Sequence, residues 1–318
     1  MARSPDSETN RLDDAARAGW LYYIGGNTQD EVAAKLGVSR QTAQRLVSLA
    51  VSAKLIKVRL DHPIAHCLDL SARLTERYGL RFCEVVPADP ASPSTLLGVA
   101  EAAAAELERQ LSSQHPIIVA MGTGRTLKAA VSHLPPMDCP QHKIVSLVGN
   151  IAPDGSASFY DIIMRIADTV RAPHYPMPIP VIASTVEEKE LFLAQKPVRN
   201  VIELARQANV AMVGIGQLGE GAPLLQDGFV TADEMRGLLK AGAVGEIVGW
   251  AYDAAGAFIH GLTNDRVASI RPDQSMERLV IAVAMGEAKR AALAAALRGR
   301  LINGLITNEA MAELLLRR

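Results

Sequence analysis

Residues 28–49, TQDEVAAKLGVSRQTAQRLVSL, specify two short helices joined by a tight turn. Thr28 is a good N-cap, and Glu31 three residues on completes a capping box. Val32, Ala33 and Leu36 share one helical face. Gly37 stands where a left-handed C-cap is needed, and Val38 is the apolar plug behind the turn. Ser39 caps a second helix whose apolar residues are Ala43, Leu46 and Val47. Its other face carries Arg40, Gln41, Thr42, Gln44 and Arg45. This is the layout of a helix-turn-helix, whose second helix offers base-reading and phosphate-binding side chains. A helical hairpin with a solvated face is the plainer alternative. Two caps, a glycine turn and a polar second helix arriving together argue against it.

Charge points the same way. Residues 35–60 hold Lys35, Arg40, Arg45, Lys54, Lys57 and Arg59 and no acid, a local +6 on a chain of net charge −1. A basic face on a near-neutral protein is the footprint of a DNA-binding module. Residues 54–60, KLIKVRL, alternate apolar and basic and read as a strand or wing beside the recognition helix. There Lys57 and Arg59 could touch phosphates. The expected DNA-binding set is Thr28, Ser39, Arg40, Gln41, Thr42, Gln44, Arg45, Lys57 and Arg59, and the expected partner is double-stranded operator DNA.

At 318 residues the chain is long enough for two domains. The expected division is a helix-turn-helix domain over 1–61, a linker helix over 62–80 and an α/β domain over 81–318. Three scattered cysteines argue against a disulfide framework and fit a reducing cytoplasm. Residues 1–10 are polar, so no signal peptide is expected, and no apolar run reaches membrane-spanning length. The expectation is a soluble cytoplasmic protein with no membrane partner. Residues 1–9 read as a disordered lead-in and 11–24 as a first helix. Trp20, Tyr22 and Tyr23 are expected to pack the small domain's core. Residues 64–79 form an amphipathic helix through Ile64, Leu68, Leu70, Leu74 and Tyr78. Dimer contact and packing on the second domain both fit it. His62, His66 and Cys67 lie close in sequence, but a metal site would need a second ligand cluster, which is not evident.

From residue 81 short apolar runs alternate with helical segments. Strands are expected over 82–86, 116–121, 143–148, 210–215, 246–252, 278–285 and 301–306, and 177–182 reads as an extended, proline-punctuated run. Helices are expected over 95–111, 127–133, 161–169, 186–194, 198–207, 231–241, 286–297 and 309–316. Alternating elements with fully apolar strands imply a mainly parallel sheet covered on both faces.

In such sheets ligands bind beyond the carboxyl ends of strands. Gly122, Thr123, Gly124, Arg125 and Thr126 follow a buried strand directly. Their backbone N–H groups, hydroxyls and guanidinium suit an anion or a polyol. Residues 214–219, GIGQLG, follow another strand and contain Gly216. Their spacing is wrong for a dinucleotide loop, so no nucleotide cofactor is expected. Glu246 and Asp253 bracket a further strand, and either could accept from sugar hydroxyls or act as a base. Lys289 lies near a helix start, where the macrodipole disfavours a cation, which suggests an anion- or hydroxyl-binding role. Gly149 ends the strand that begins at 143.

Six segments in order resemble the SorC family of sugar-binding transcriptional regulators. They are the helix-turn-helix TQ-x-EVA-x-x-LGVSR, then MGTGRTLKAAV, SLVGN, DIIMRIADTV, GEIVGWAYD and MGEAKRAALAAALRGRLINGLITNE. WLYYIGGNTQDEVAAKLGVS and DIIMRIADTV look most similar to the polyol branch, such as erythritol regulators. The resemblance implies an N-terminal helix-turn-helix domain and a C-terminal α/β domain similar to the sugar-phosphate isomerase, glucosamine-phosphate deaminase and CoA-transferase fold, without catalytic activity. It implies a sugar, polyol or sugar-phosphate effector, with Thr123, Gly124, Arg125 and Thr126 matching the family's phosphate or sugar loop, Glu246 its effector-contacting acid and Lys289 its basic residue; the expected effector set adds Gly122, Gly149, Gly216 and Asp253. It also implies homodimers or homotetramers on paired half-sites. Two positions depart from the family pattern. Asn308 replaces the aspartate of L-I-T-D-E, and Met285 precedes Gly286 where two glycines are usual. The competing reading is a sugar-phosphate isomerase or deaminase with an appended helical domain, its base being Glu246 or Asp253.

Overall fold

The computed structural model describes residues 5–53, 55–56, 64–89, 96–152, 154–156, 162–272 and 277–317, with side chains from residue 10 onward. The chain divides into two compact units, Met1–Pro63 and Ile64–Arg318.

In the first unit a helix spans Pro5–Gly19 and widens into a π-helical turn over Trp20–Ile24. The helix therefore starts within the stretch expected to be a lead-in. The helix-turn-helix follows as helices Gln29–Leu36 and Arg40–Ser52. Thr28 accepts from the Glu31 amide and Glu31 accepts from the Thr28 amide, closing the capping box. Gly37 sits at φ 67°, the left-handed conformation that lets the chain turn back without a Cβ clash. Val32, Ala33, Ala43 and Val47 are buried with Ala18, and Leu21, Tyr22, Leu36, Val38 and Leu46 close over them. The aromatic expectation fails in part. Tyr22 packs on this core, but Trp20 is 58% exposed and Tyr23 40%. Alanines buried in three helices bring the backbones close, which leaves no room for an indole. The proposed wing, with Lys54, Lys57 and Arg59, and also His62 lie outside the described residues.

The second unit is built on a seven-stranded sheet. Its strands are β1 (Phe82–Val86), β2 (Ile118–Met121), β3 (Lys143–Ile151), β4 (His174–Pro180), β5 (Val210–Val213), β9 (Leu279–Val283) and β10 (Gly304–Asn308). Between β5 and β9 the chain makes a smaller antiparallel sheet of β6 (Gly216–Gln217), β7 (Ala243–Ile247) and β8 (Trp250–Asp253). The large sheet runs in the order β1-β10-β9-β5-β2-β3-β4, and every neighbouring pair is parallel. Alternation along each strand divides the core. Val119, Met121, Val210, Met212, Ile281 and Val283 face one layer, with helices Leu97–Leu111, Arg125–His133 and Ile163–Val170. Ala120, Ala211, Val213, Val280 and Ala282 face the other, with helices Ala65–Tyr78, Lys196–Arg206, Arg290–Arg298 and Glu309–Leu316. Burial on both faces explains why these strands read as unbroken apolar runs.

The helix Ala65–Tyr78 belongs to this unit. Cys67, Leu70 and Leu74 are buried in its core, and Ser71 Oγ donates to the Cys83 carbonyl on β1. Leu68, expected on the apolar stripe, is 54% exposed. Residues 246–252, expected to be one strand, fold as a hairpin, with Val248 and Gly249 both at positive φ (48° and 88°) forming its turn. Periodicity missed this because Val248 is apolar and β-branched, a residue that ordinarily argues for an uninterrupted strand.

Candidate functional site

In the large sheet the chain leaves β2 toward β3 and leaves β5 in the opposite direction, toward β9. The switch point therefore lies between β2 and β5, and beyond their carboxyl ends is where open parallel sheets place a ligand crevice. The loop after β2 carries Gly122, Thr123 and Gly124, and the chain after β5 leads into β6. Gly122 N–H donates to the Met212 carbonyl at 2.8 Å, tying the two strand ends together. Gly124 is followed at once by the helix Arg125–His133, whose first amides have no side-chain cap. Thr126 is buried on the inner side of that helix, and Arg125 is exposed, with Nη2 donating to Gln226 Oε1 at 3.4 Å.

β6 pairs with β7 so that Gly216 lies opposite Glu246. The Glu246 carboxyl group folds back over Gly216, and a Cβ there would overlap Oε1. Gly249 N–H, from the turn, donates to Glu246 Oε2 at 2.7 Å. Burial pushes the Glu246 carboxyl up from its ordinary value, and the Gly249 amide and the Lys289 charge oppose that shift. Lys289 ends the 3-10 turn Glu287–Lys289 that follows β9. Burial pushes its ammonium down, the Glu246 charge draws it up, and Arg125 repels it. Lys289 is thus within electrostatic reach of both Glu246 and Arg125, which lie 43 and 164 residues away in the sequence. An acceptor and an ammonium in reach of each other, with a guanidinium at the start of an uncapped helix in reach of the ammonium, are the groups that can hold a small polyhydroxylated or anionic molecule.

Two expected members stand apart. Asp253 lies opposite Ala243, at the far end of the β7–β8 hairpin from the Val248–Gly249 turn. Its Oδ1 accepts from the amides of Ala255 and Ala257, both at 2.9 Å, so this carboxylate shapes a turn. Gly149 is a packing glycine, because a Cβ there would overlap the Ile179 carbonyl of β4. Three residues near the crevice escaped the sequence reading. Tyr252 is fully buried beside Glu246 and donates to the Ala292 carbonyl at 3.1 Å. Gln226 accepts from Arg125. Gln217, next to Gly216, has a buried Oε1 with no hydrogen-bond partner among the described residues. Only Gln217 carried a local signal, since it sits inside the GIGQLG loop. At the end of β10, Asn308 caps the last helix by accepting from the Met311 amide at 3.1 Å, a role that needs an oxygen and not a charge.

In the first unit Gln41, Thr42, Gln44 and Arg45 are exposed on the second helix. Arg40 is exposed too and pairs with Asp30 at 3.3 Å, a surface contact that contributes little and is easily exchanged. The hydroxyls of Thr28 and Ser39 are engaged as caps, which positions the helices more than it reads bases.

A unit with a helix-turn-helix and a unit with a polar crevice at a parallel-sheet switch point define a class: a DNA-binding regulator with a small-molecule-binding domain. The family model described as “putative sugar-binding domain” matches residues 62–317. The erythritol catabolism regulatory protein EryD of Brucella abortus (strain 2308) is 35% identical over 303 residues, covering 95% of this chain and 96% of that protein. The transcriptional regulator LsrR of Enterobacter sp. (strain 638) is 30% identical over 316 residues, covering 95% and 92%. The full-length sorbitol operon regulator SorC of Klebsiella pneumoniae shares the fold at a TM-score of 0.70, with 24% identity, covering 97% of this chain and all of that one. The chain belongs to the SorC family of sugar-binding transcriptional regulators. No helix among the described residues is long and apolar enough to cross a membrane.

Proposed function

We propose that this chain is an effector-responsive regulator of carbohydrate or polyol catabolism, and that a sugar, a polyol or one of their phosphates binds the crevice between β2 and β5. The observation that carries the reading is the seating of Glu246 over Gly216 with Lys289 in reach of both Glu246 and Arg125, beside the switch point. The EryD likeness favours a polyol or its phosphate. On this reading Arg125, Lys289 and the helix N-terminus take the anionic or most polar end of the effector, and Glu246 accepts from hydroxyls. The effector shifts DNA affinity by binding one conformation or assembly more tightly than another. The DNA is gripped by Arg40, Gln41, Thr42, Gln44 and Arg45, with Lys57 and Arg59 adding phosphate contacts, on paired half-sites bound by a dimer or tetramer. The finer kinship with sugar-phosphate isomerases is part of the same proposal, with catalysis lost. The enzyme alternative is the weaker one, because its second candidate base, Asp253, is occupied by two backbone amides.

The test is a thermal-shift screen of polyols and sugar phosphates, since a ligand of the native state raises apparent stability. The best hit is then titrated into protein bound to labelled operator DNA. Arg125→Ala and Lys289→Ala are expected to bind DNA as the wild type does and to ignore the effector. A normal response in both would place the pocket elsewhere.

A further inference from the structure

Away from the crevice, the second unit carries a groove of about 360 Å³ between the helices Ala65–Tyr78, Arg290–Arg298 and Glu309–Leu316. Arg77, Arg290, Arg298 and Arg317 line it over a floor that includes Tyr78 and Leu315. Arg290, Ala294 and Arg298 recur at four-residue spacing, so one helix face presents two of the guanidinium groups.

The positive charge is only partly offset. Arg317 pairs with Glu313 at 3.7 Å, and Glu313 also meets His66 Nε2 at 3.4 Å. Among the described residues none of Arg77, Arg290 and Arg298 forms an ion pair. Arg77 donates to the Leu316 carbonyl at 2.9 Å and lies 5.6 Å from the Tyr78 ring centroid. Arg298 donates twice to the Ala254 carbonyl, at 2.7 and 3.2 Å. Part of this positive charge complements the C-terminal ends of the helices Ala65–Tyr78, Arg290–Arg298 and Glu309–Leu316, each worth roughly half a negative charge. Arg290 has no such explanation, because it begins its helix, where the dipole disfavours a cation. Four guanidinium groups against one carboxylate and three helix ends leave a surplus of about one and a half positive charges.

We propose that this groove is a second binding site, for a small, multiply phosphorylated metabolite. Guanidinium groups grip phosphate oxygens in pairs, and several of them around one cavity suit more than one phosphate. The volume falls in the range of small-ligand pockets. The helix Arg290–Arg298 follows directly on Lys289, so one helix joins this groove to the crevice.

The test uses the full-length protein and sodium tripolyphosphate, titrated calorimetrically at fixed ionic strength because exposed charges are screened by salt. Saturable binding is expected in the wild type and in Arg125→Ala. In the double variant Arg290→Ala/Arg298→Ala it should weaken about tenfold or more. Arg290→Lys/Arg298→Lys should bind with intermediate affinity, since it keeps the charge and loses the fork. An unchanged thermal midpoint of the unliganded double variant guards against misfolding. Binding that survives the double variant, or disappears in Arg125→Ala, overturns the proposal. So does a double variant that loses operator affinity or changes its oligomeric mass while still binding tripolyphosphate, since the groove would then be a DNA or subunit contact.

Discussion

Gly216 matters for the side chain it lacks. A methyl group there would occupy the place of Glu246 Oε1, and Gly249 N–H holds the other oxygen in position. Gly216→Ala is therefore expected to displace Glu246. Operator binding should be unchanged, and effector affinity should fall about tenfold or more, the cost of one charge-assisted hydrogen bond. Anisotropy titrations with and without effector measure both quantities, and an unaltered effector response would remove Glu246 from the site. Glu246 also carries a pH signature. Burial raises its folded pKa above the ordinary 4.5, so the folded chain holds this proton to higher pH than the unfolded chain. Its contribution to stability therefore declines as pH rises through that window and is constant above it. Glu246→Gln abolishes the dependence. In urea melts, the stability of the variant relative to wild type should rise with pH from about 4.5 and then level off. A difference independent of pH would show that the carboxyl group is not desolvated.

At the scale of elements, the first helix of the helix-turn-helix is short, and short helices depend on their ends. Both halves of the capping box are formed at Thr28 and Glu31. Thr28→Ala should destabilise this element by about 1 kcal/mol. Amides of the helix Gln29–Leu36 should then exchange roughly five times faster, while those of β2 and β5 stay as they were. Equal acceleration in both places would mean that the two units unfold together. The β7–β8 hairpin shows the complementary case. Its turn stands Val248 at φ 48°, a conformation that costs a β-branched residue about 1–2 kcal/mol. Burial of the Val248 side chain offsets that cost, and Gly249 supplies the amide that binds Glu246.

At the scale of the molecule, two separate units imply separable functions. A fragment of residues 64–318 should bind the effector from the thermal-shift screen with the affinity of the whole chain and should not bind operator DNA. Calorimetry on the fragment measures the first and anisotropy the second. A much weaker effector affinity would show that the first unit contributes to the crevice. For the full chain, operator affinity should fall steeply as salt is raised, because neutralising phosphates releases counterions. A flat dependence would remove the phosphate contacts assigned to the basic window.

The helix-turn-helix was legible because its determinants are local. Capping, the glycine turn and the polar face of residues 40–45 all act within one or two helical turns. The parallel sheet was legible for a related reason: strands buried on both faces must be apolar throughout, as 210–213 and 279–283 are. The crevice was legible only as fragments. Arg125, Glu246 and Lys289 stood in three loops, and nothing local distinguished Glu246 from Asp253. Folding distinguishes them, because the hairpin turn brings one carboxyl group over Gly216 and leaves the other two residues short of a tight turn of its own. Likewise Trp20 had the composition of a core residue and lost its place to close-packed alanines. Sequence by itself determined most of the elements, their class and the exposed polar face of residues 40–45, since short-range sterics and hydrogen bonds decide those. The tertiary structure alone decided which charges meet, because burial and charge pairing depend on distances between segments far apart in the chain.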